Sequence, residues 1–233
     1  MHDGYSACTA TAEDTTLHTT ALVHIDSGTA AMEGMLELPH DALGIVLFAH
    51  GSGSSRLSPR NNYVARVLRD AGIGTLLLDL LTQVEDRAYE NRFDIGLLTR
   101  RLGAAAGWLG RQAVTSPLPL GLFGASTGAG AALRLAATHD IPVAAIVSRG
   151  GRPDLAGDDA LAAVSAPTLL IVGGNDDPVI GLNRRACAAL RCEKELVIVP
   201  GATHLFEEPG TLEEVARVAS EWFAGHFARG RPG

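Results

Sequence analysis

The chain has 233 residues, of which 46% are hydrophobic and 19% charged, enough for one domain that buries a sheet on both faces. A formal net charge of -7 argues against nucleic acid or an anionic membrane surface as a partner, and no apolar run approaches a bilayer-spanning length. The three cysteines, Cys8, Cys187 and Cys192, lack metal or disulfide spacing, so a cytoplasmic protein without metal or cofactor is expected, as monomer or homodimer.

In chain order, residues 1–18, rich in Thr, Ala and acidic groups, read as a flexible tail. Residues 19–228 read as a single domain, and 229–233 as a C-terminal tail. Early strands are expected near 21–25 and 32–38. Continuous apolar runs then predict strands at 44–49, 74–79, 118–123, 142–147, 167–172 and 195–200. Helical patterns fall near 61–71, 94–112, 127–139 and 180–191. A last helix carries Leu212, Val215, Ala216, Ala219, Trp222 and Phe223 at helical spacing, as core residues. Continuous apolar strands separated by helices imply an α/β fold: a mainly parallel sheet of about eight strands covered by helices on both faces. Segment 80–93, with Tyr89 and Phe93 among many charges, reads either as one wall of a site mouth or as a solvated connection.

The most informative stretch is Gly124-Ala125-Ser126-Thr127-Gly128, between an apolar run and an Ala-rich helical pattern. It reads as strand, sharp turn and helix with Ser126 at the apex. The small flanking residues allow strand and helix to pass closely and hold the hydroxyl clear of the backbone. The helix N-terminus then lies where developing negative charge needs stabilising.

A serine nucleophile needs a base and an orienting acid, and both follow in the chain order that such an elbow requires. The run 168–172 ends in Gly173-Gly174-Asn175-Asp176-Asp177-Pro178-Val179, which puts a carboxylate at a strand end. The run 196–199 leads into Pro200-Gly201-Ala202-Thr203-His204, which puts a histidine on the loop after the last strand. Loops at the carboxyl ends of parallel strands converge on one edge, so the three can meet there. Small residues after Phe48-Ala49-His50, in Gly51-Ser52-Gly53, leave backbone N–H groups free. The N–H groups of Ser52 and Thr127 are the candidate oxyanion hole.

These motifs in this order resemble an α/β-hydrolase without a cap domain, in the dienelactone-hydrolase-like branch, over about residues 20–227. The resemblance implies carboxylic ester hydrolysis of a small substrate through Ser126 as nucleophile, His204 as general base and Asp176 as orienting acid. Asp176 is chosen because Gly173, Asp176 and Val179 match the family's Gly-x-x-Asp-x-x-Val turn. Asp177 is left as a turn or capping residue, and His50 as a residue that shapes its loop. Dienelactone hydrolases proper carry a cysteine at the elbow, so Ser126 implies an ordinary serine esterase mechanism.

Arginines at predicted strand ends bear on the substrate. Arg56 and Arg149 are pocket candidates, each able either to fork onto a substrate anion or to hold loops. Arg60 and Arg152 read as structural. Two alternatives to hydrolysis stand beside it: transfer of the acyl group to an acceptor other than water, including a perhydrolase, and a non-catalytic small-molecule binding module. A dinucleotide site is excluded, because the mid-chain glycines lack G-x-G-x-x-G spacing.

Overall fold

The computed structural model describes residues 17–229. The expected strands form as β1 (Leu17–Asp26), β2 (Ala31–Pro39), β3 (Ile45–Ala49), β4 (Gly74–Leu78), β5 (Leu120–Ala125), β6 (Ala145–Arg149), β7 (Thr168–Gly173) and β8 (Lys194–Val199). They make one sheet in the order β1-β2-β4-β3-β5-β6-β7-β8. β1 and β2 pair antiparallel, β2 joins β4 antiparallel, and the pairings from β4 to β8 are parallel.

β1 starts at Leu17, two residues inside the expected N-terminal tail, because the pairing with β2 extends to Leu17↔Pro39. The rest of that tail, with Cys8, lies outside the described residues, as do residues 230–233.

The helices are α1 (Pro59–Asp70), α2 (Ile95–Leu109), α3 (Thr127–Ala136), α4 (Asp158–Ala163), α5 (Asp177–Ala189) and α6 (Thr211–Arg229). Side chains alternate across β3: Val46 and Phe48 join α1 and α6 in one core, while Ile45, Leu47 and Ala49 join α2 and α3 in the other. That alternation is why the strands read as unbroken apolar runs. Phe223 and Phe227 of α6 are fully buried, their rings stacked at 5.7 Å, and burying each contributes roughly 2 kcal/mol.

The chain leaves β3 for β4 on one side and returns from β4 to β5 on the other. The strand order therefore reverses beside β3, and a crevice opens there at the carboxyl ends of β3 and β5. The loops after β6, β7 and β8 reach the same edge.

Candidate active site

β5 ends at Ala125 and α3 begins at Thr127, so the whole reversal falls on Ser126, at φ 49° and ψ -118°. A non-glycine residue occupies this region only when its surroundings over-determine it. Here the Ser126 N–H donates to the Arg149 carbonyl at 3.2 Å, and the Ser126 carbonyl accepts from the N–H groups of Arg152 (3.0 Å) and Ala129 (3.1 Å). The flanking glycines are dictated by close approach. A Cβ at Gly128 would stand 2.1 Å from the Ala49 carbonyl oxygen, and one at Gly124 would stand 2.4 Å from Ala129 Cα. Both obstacles are backbone atoms that cannot rotate away. Gly128→Ala is thus expected to destabilise the chain by at least about 1–3 kcal/mol through overpacking. An unchanged Tm in thermal unfolding would contradict this packing.

The acid turn and the histidine loop are laced together. The Asn175 N–H donates to the Ala202 carbonyl and its Nδ2 to the Gly201 carbonyl, both at 2.9 Å, and the Gly174 N–H donates to the Val199 carbonyl at 2.8 Å. Glu208 steadies the far side of the loop by accepting from Thr203 N–H at 3.0 Å and Oγ1 at 2.6 Å. Asp176 stands just before α5, where a carboxylate ordinarily caps the helix, yet it makes no capping bond. Its Oδ2 lies instead 2.7 Å from His204 Nδ1. An ionised carboxylate only accepts, so this contact puts a proton on Nδ1 and leaves Nε2 as the free base. Asp177 is exposed in the first turn of α5.

His50 is buried at the end of β3, its Nε2 accepting the Leu80 N–H at 3.1 Å and its Nδ1 lying 2.9 Å from the Gly51 carbonyl. These partners require the neutral ring, with the proton on Nδ1. His50 thus ties the loop after β3 to the end of β4. Burial lowers its pKa below the usual 6.5. Below that value the unfolded chain binds a proton that the folded chain resists, so this contribution to stability is present above pH 6.5 and lost as the pH falls through the folded value. The Tm gap between wild type and His50→Gln is expected to narrow from about pH 7.5 to about pH 5.5. A gap independent of pH would contradict the neutral, buried assignment.

Ser126 and His204 line one cleft of about 200 Å³, together with Ser52, Arg60, Arg149 and Leu205. Thr127 opens α3, so its N–H is one of the first-turn groups without an intrahelical acceptor, and it adjoins the apex. A larger groove of about 390 Å³ between α6 and β8 contains none of these residues.

The four arginines separate. Arg56 is not in the cleft, which corrects its reading as a pocket residue. Its guanidinium pairs with Asp79 and, at 2.7 Å, with Glu33, while its N–H donates to Asp79 at 2.6 Å. With both sides of its fork held by carboxylates it pins loop to sheet. Arg152 forks onto Asp154 at 2.7 and 2.8 Å, as expected of a structural residue. Arg149 lines the cleft, and burial with the neighbouring Arg60 charge lowers its pKa to about 10, so it stays protonated at neutral pH. Arg60 pairs with Glu207 at 2.7 Å yet also lines the cleft, which sequence reading missed. The available signal was its place in the first turn of α1, just beyond the loop after β3.

Segment 80–93 forms two short 3₁₀ turns, Glu85–Arg87 and Tyr89–Phe93, and none of its residues lines the cleft. Arg101 from α2, 2% exposed, holds it through Glu85 at 2.5 Å, and Arg92 bonds Asp86. It is a pinned connection beside the site.

A strand-apex serine, an acid at the end of β7, a histidine after β8 and this strand order define an α/β-hydrolase fold. No protein-family model matches the chain. The crystal structure of dienelactone hydrolase from Anabaena variabilis is 55% identical and superposes with a TM-score of 0.87, over 91% of this chain and 99% of that one. The chain therefore belongs to the dienelactone hydrolase family. Est1E from Butyrivibrio proteoclasticus shares the fold at 14% identity, with a TM-score of 0.77 over 89% of this chain and 99% of that one. A Mycobacterium tuberculosis protein named "Putative phosphoribosyl transferase" is 58% identical over 205 residues, 88% of this chain and 46% of that protein. The chain spans about half the length of the curated relatives it matches. Among the described residues, no helix is long and apolar enough to cross a membrane.

Proposed function

We propose that this chain is a serine hydrolase that cleaves carboxylic esters of small substrates by way of an acyl-enzyme. The observation that carries the reading is the 2.7 Å contact from His204 Nδ1 to Asp176, in a histidine that shares its cleft with Ser126 at a strained strand-to-helix turn.

The chemistry follows from these roles. His204 Nε2 takes the hydroxyl proton as Ser126 Oγ adds to the ester carbonyl, and Asp176 stabilises the imidazolium that forms. The N–H groups of Thr127 and Ser52 donate to the oxyanion of the tetrahedral intermediate. Collapse expels the alcohol, which takes the proton from Nε2 and leaves the acyl group on Ser126. Water then adds with His204 again as base, and the acid departs as Ser126 recovers its proton. The cleft volume of about 200 Å³ supports small substrates.

A panel of chromogenic esters of graded acyl length, run beside labelling with an active-site-directed organophosphate, tests the reading. Turnover of short esters and a phosphoryl adduct on Ser126 are the expected results. An adduct without ester hydrolysis favours acyl transfer to another acceptor, and neither result favours a binding module.

A further inference from the structure

The segment Arg149–Arg152, where the chain leaves β6, touches both Ser126 and His204. Two of its peptide units face the elbow. In the first, the Arg149 carbonyl accepts from the Ser126 N–H at 3.2 Å, while the Gly150 N–H donates to the Ile171 carbonyl of β7 at 2.8 Å. In the second, the Arg152 N–H donates to the Ser126 carbonyl at 3.0 Å, while the Gly151 carbonyl accepts from Asn183 Nδ2 of α5, also at 3.0 Å. A peptide unit is planar and stiff, so each one transmits the position of its far partner to Ser126. Those far partners belong to β7 and α5, the two elements between which Asp176 stands. Gly150 meanwhile lies against His204: a Cβ there would stand 3.1 Å from the His204 carbonyl oxygen and 3.5 Å from Cε1, the ring carbon between the two nitrogens.

Asn183 contributes the one side chain in these two links, whose other partners are all main-chain groups. It is fully buried, and its Nδ2 also donates to the Val179 carbonyl one turn back at 2.9 Å. Its Oδ1 is buried without a partner. A leucine would fill a similar volume with no orphaned oxygen, so packing alone does not call for an amide here. What the amide supplies, and leucine lacks, is a donor for the Gly151 carbonyl.

We propose that Asn183 is a positioning residue for the Ser126 nucleophile: through the Gly151–Arg152 peptide it sets the elbow against α5, and so against the acid and the histidine. The proposal rests on the serine-hydrolase reading, in which Ser126 attacks and Asp176 and His204 activate it. Asn183 touches no substrate and acts only through the main chain.

The test measures kcat, KM and Tm on one chromogenic ester for wild type, Asn183→Leu, Asn183→Ser and Ala186→Gly. Leucine removes the donor and keeps the bulk. Serine keeps a hydroxyl for the Val179 carbonyl but is one bond shorter toward Gly151. Both Asn183 variants are expected to lower kcat by about 10- to 100-fold, as a misplacement of about 1 Å does, with KM within about twofold of wild type. Ala186→Gly loosens the same helix one turn on, and is expected to lower Tm with kcat unchanged. Unchanged kcat in the Asn183 variants overturns the proposal, whatever happens to Tm or KM. So does a kcat loss in Ala186→Gly of the same size for the same fall in Tm. Should Asn183→Leu fail to fold, Asn183→Ser decides by the same criteria. A wild type inert toward esters counts against the hydrolase reading instead. The position of Ser126 is then read from crystal structures of wild type and a folded Asn183 variant. A shift of Ser126 Oγ relative to His204 by more than about 0.5 Å upholds the positioning role, and a smaller one ends it.

Discussion

Ser126→Ala is expected to abolish ester turnover while leaving the fold and Tm close to wild type. The turn at Ser126 is held by its backbone, through Arg149, Arg152 and Ala129, and alanine at φ 49° meets the same steric cost as serine. The substitution therefore removes the nucleophile without releasing the elbow. Loss of the serine from such a triad lowers kcat on the order of a millionfold. A folded variant with more than about a tenth of wild-type kcat would remove Ser126 from the mechanism. Circular dichroism and a melting curve on the same preparation distinguish lost chemistry from lost structure.

The second large effect separates the adjacent acids. Asp176→Asn is expected to lower kcat by about ten-thousandfold, because an amide facing Nδ1 favours the imidazole tautomer that carries its proton on Nε2 and so removes the base. Asp177→Asn is expected to cost far less, since that side chain is exposed in the first turn of α5 and an amide there changes only a surface charge near the helix terminus. Steady-state kinetics on one chromogenic ester measures both. If Asp177→Asn proved the more damaging, the 2.7 Å contact between Asp176 and His204 would have no catalytic meaning. The purely structural function of that contact would then appear as a fall in Tm for Asp176→Asn.

The two arginines with opposite fates show how the fold divides labour at one sheet edge. Arg56 follows β3 and Arg149 ends β6, so both reach the carboxyl edge. Glu33 from β2 and Asp79 from the end of β4 converge on Arg56, and only Asn61 from α1 reaches Arg149.

Much of this protein is written locally in its sequence. Buried parallel strands must be apolar on both faces, so the six continuous apolar runs announce themselves without reference to their neighbours, and β3 to β8 form within a few residues of where those runs lie. The elbow turn is legible for a similar reason: Gly124 and Gly128 are needed wherever backbone passes within contact of backbone. The six-residue α4 escaped reading because so short a helix shows no periodicity, and α5 starts three residues early because Pro178 fits its first turn. What the tertiary structure decided is pairing over distance. Whether an arginine is neutralised depends on carboxylates 23 residues away for Arg56, and on an amide 88 residues away for Arg149. Electrostatic partners act through space across elements whose registry only the folded sheet sets, so charge compensation is invisible along the chain while hydrophobic periodicity is not.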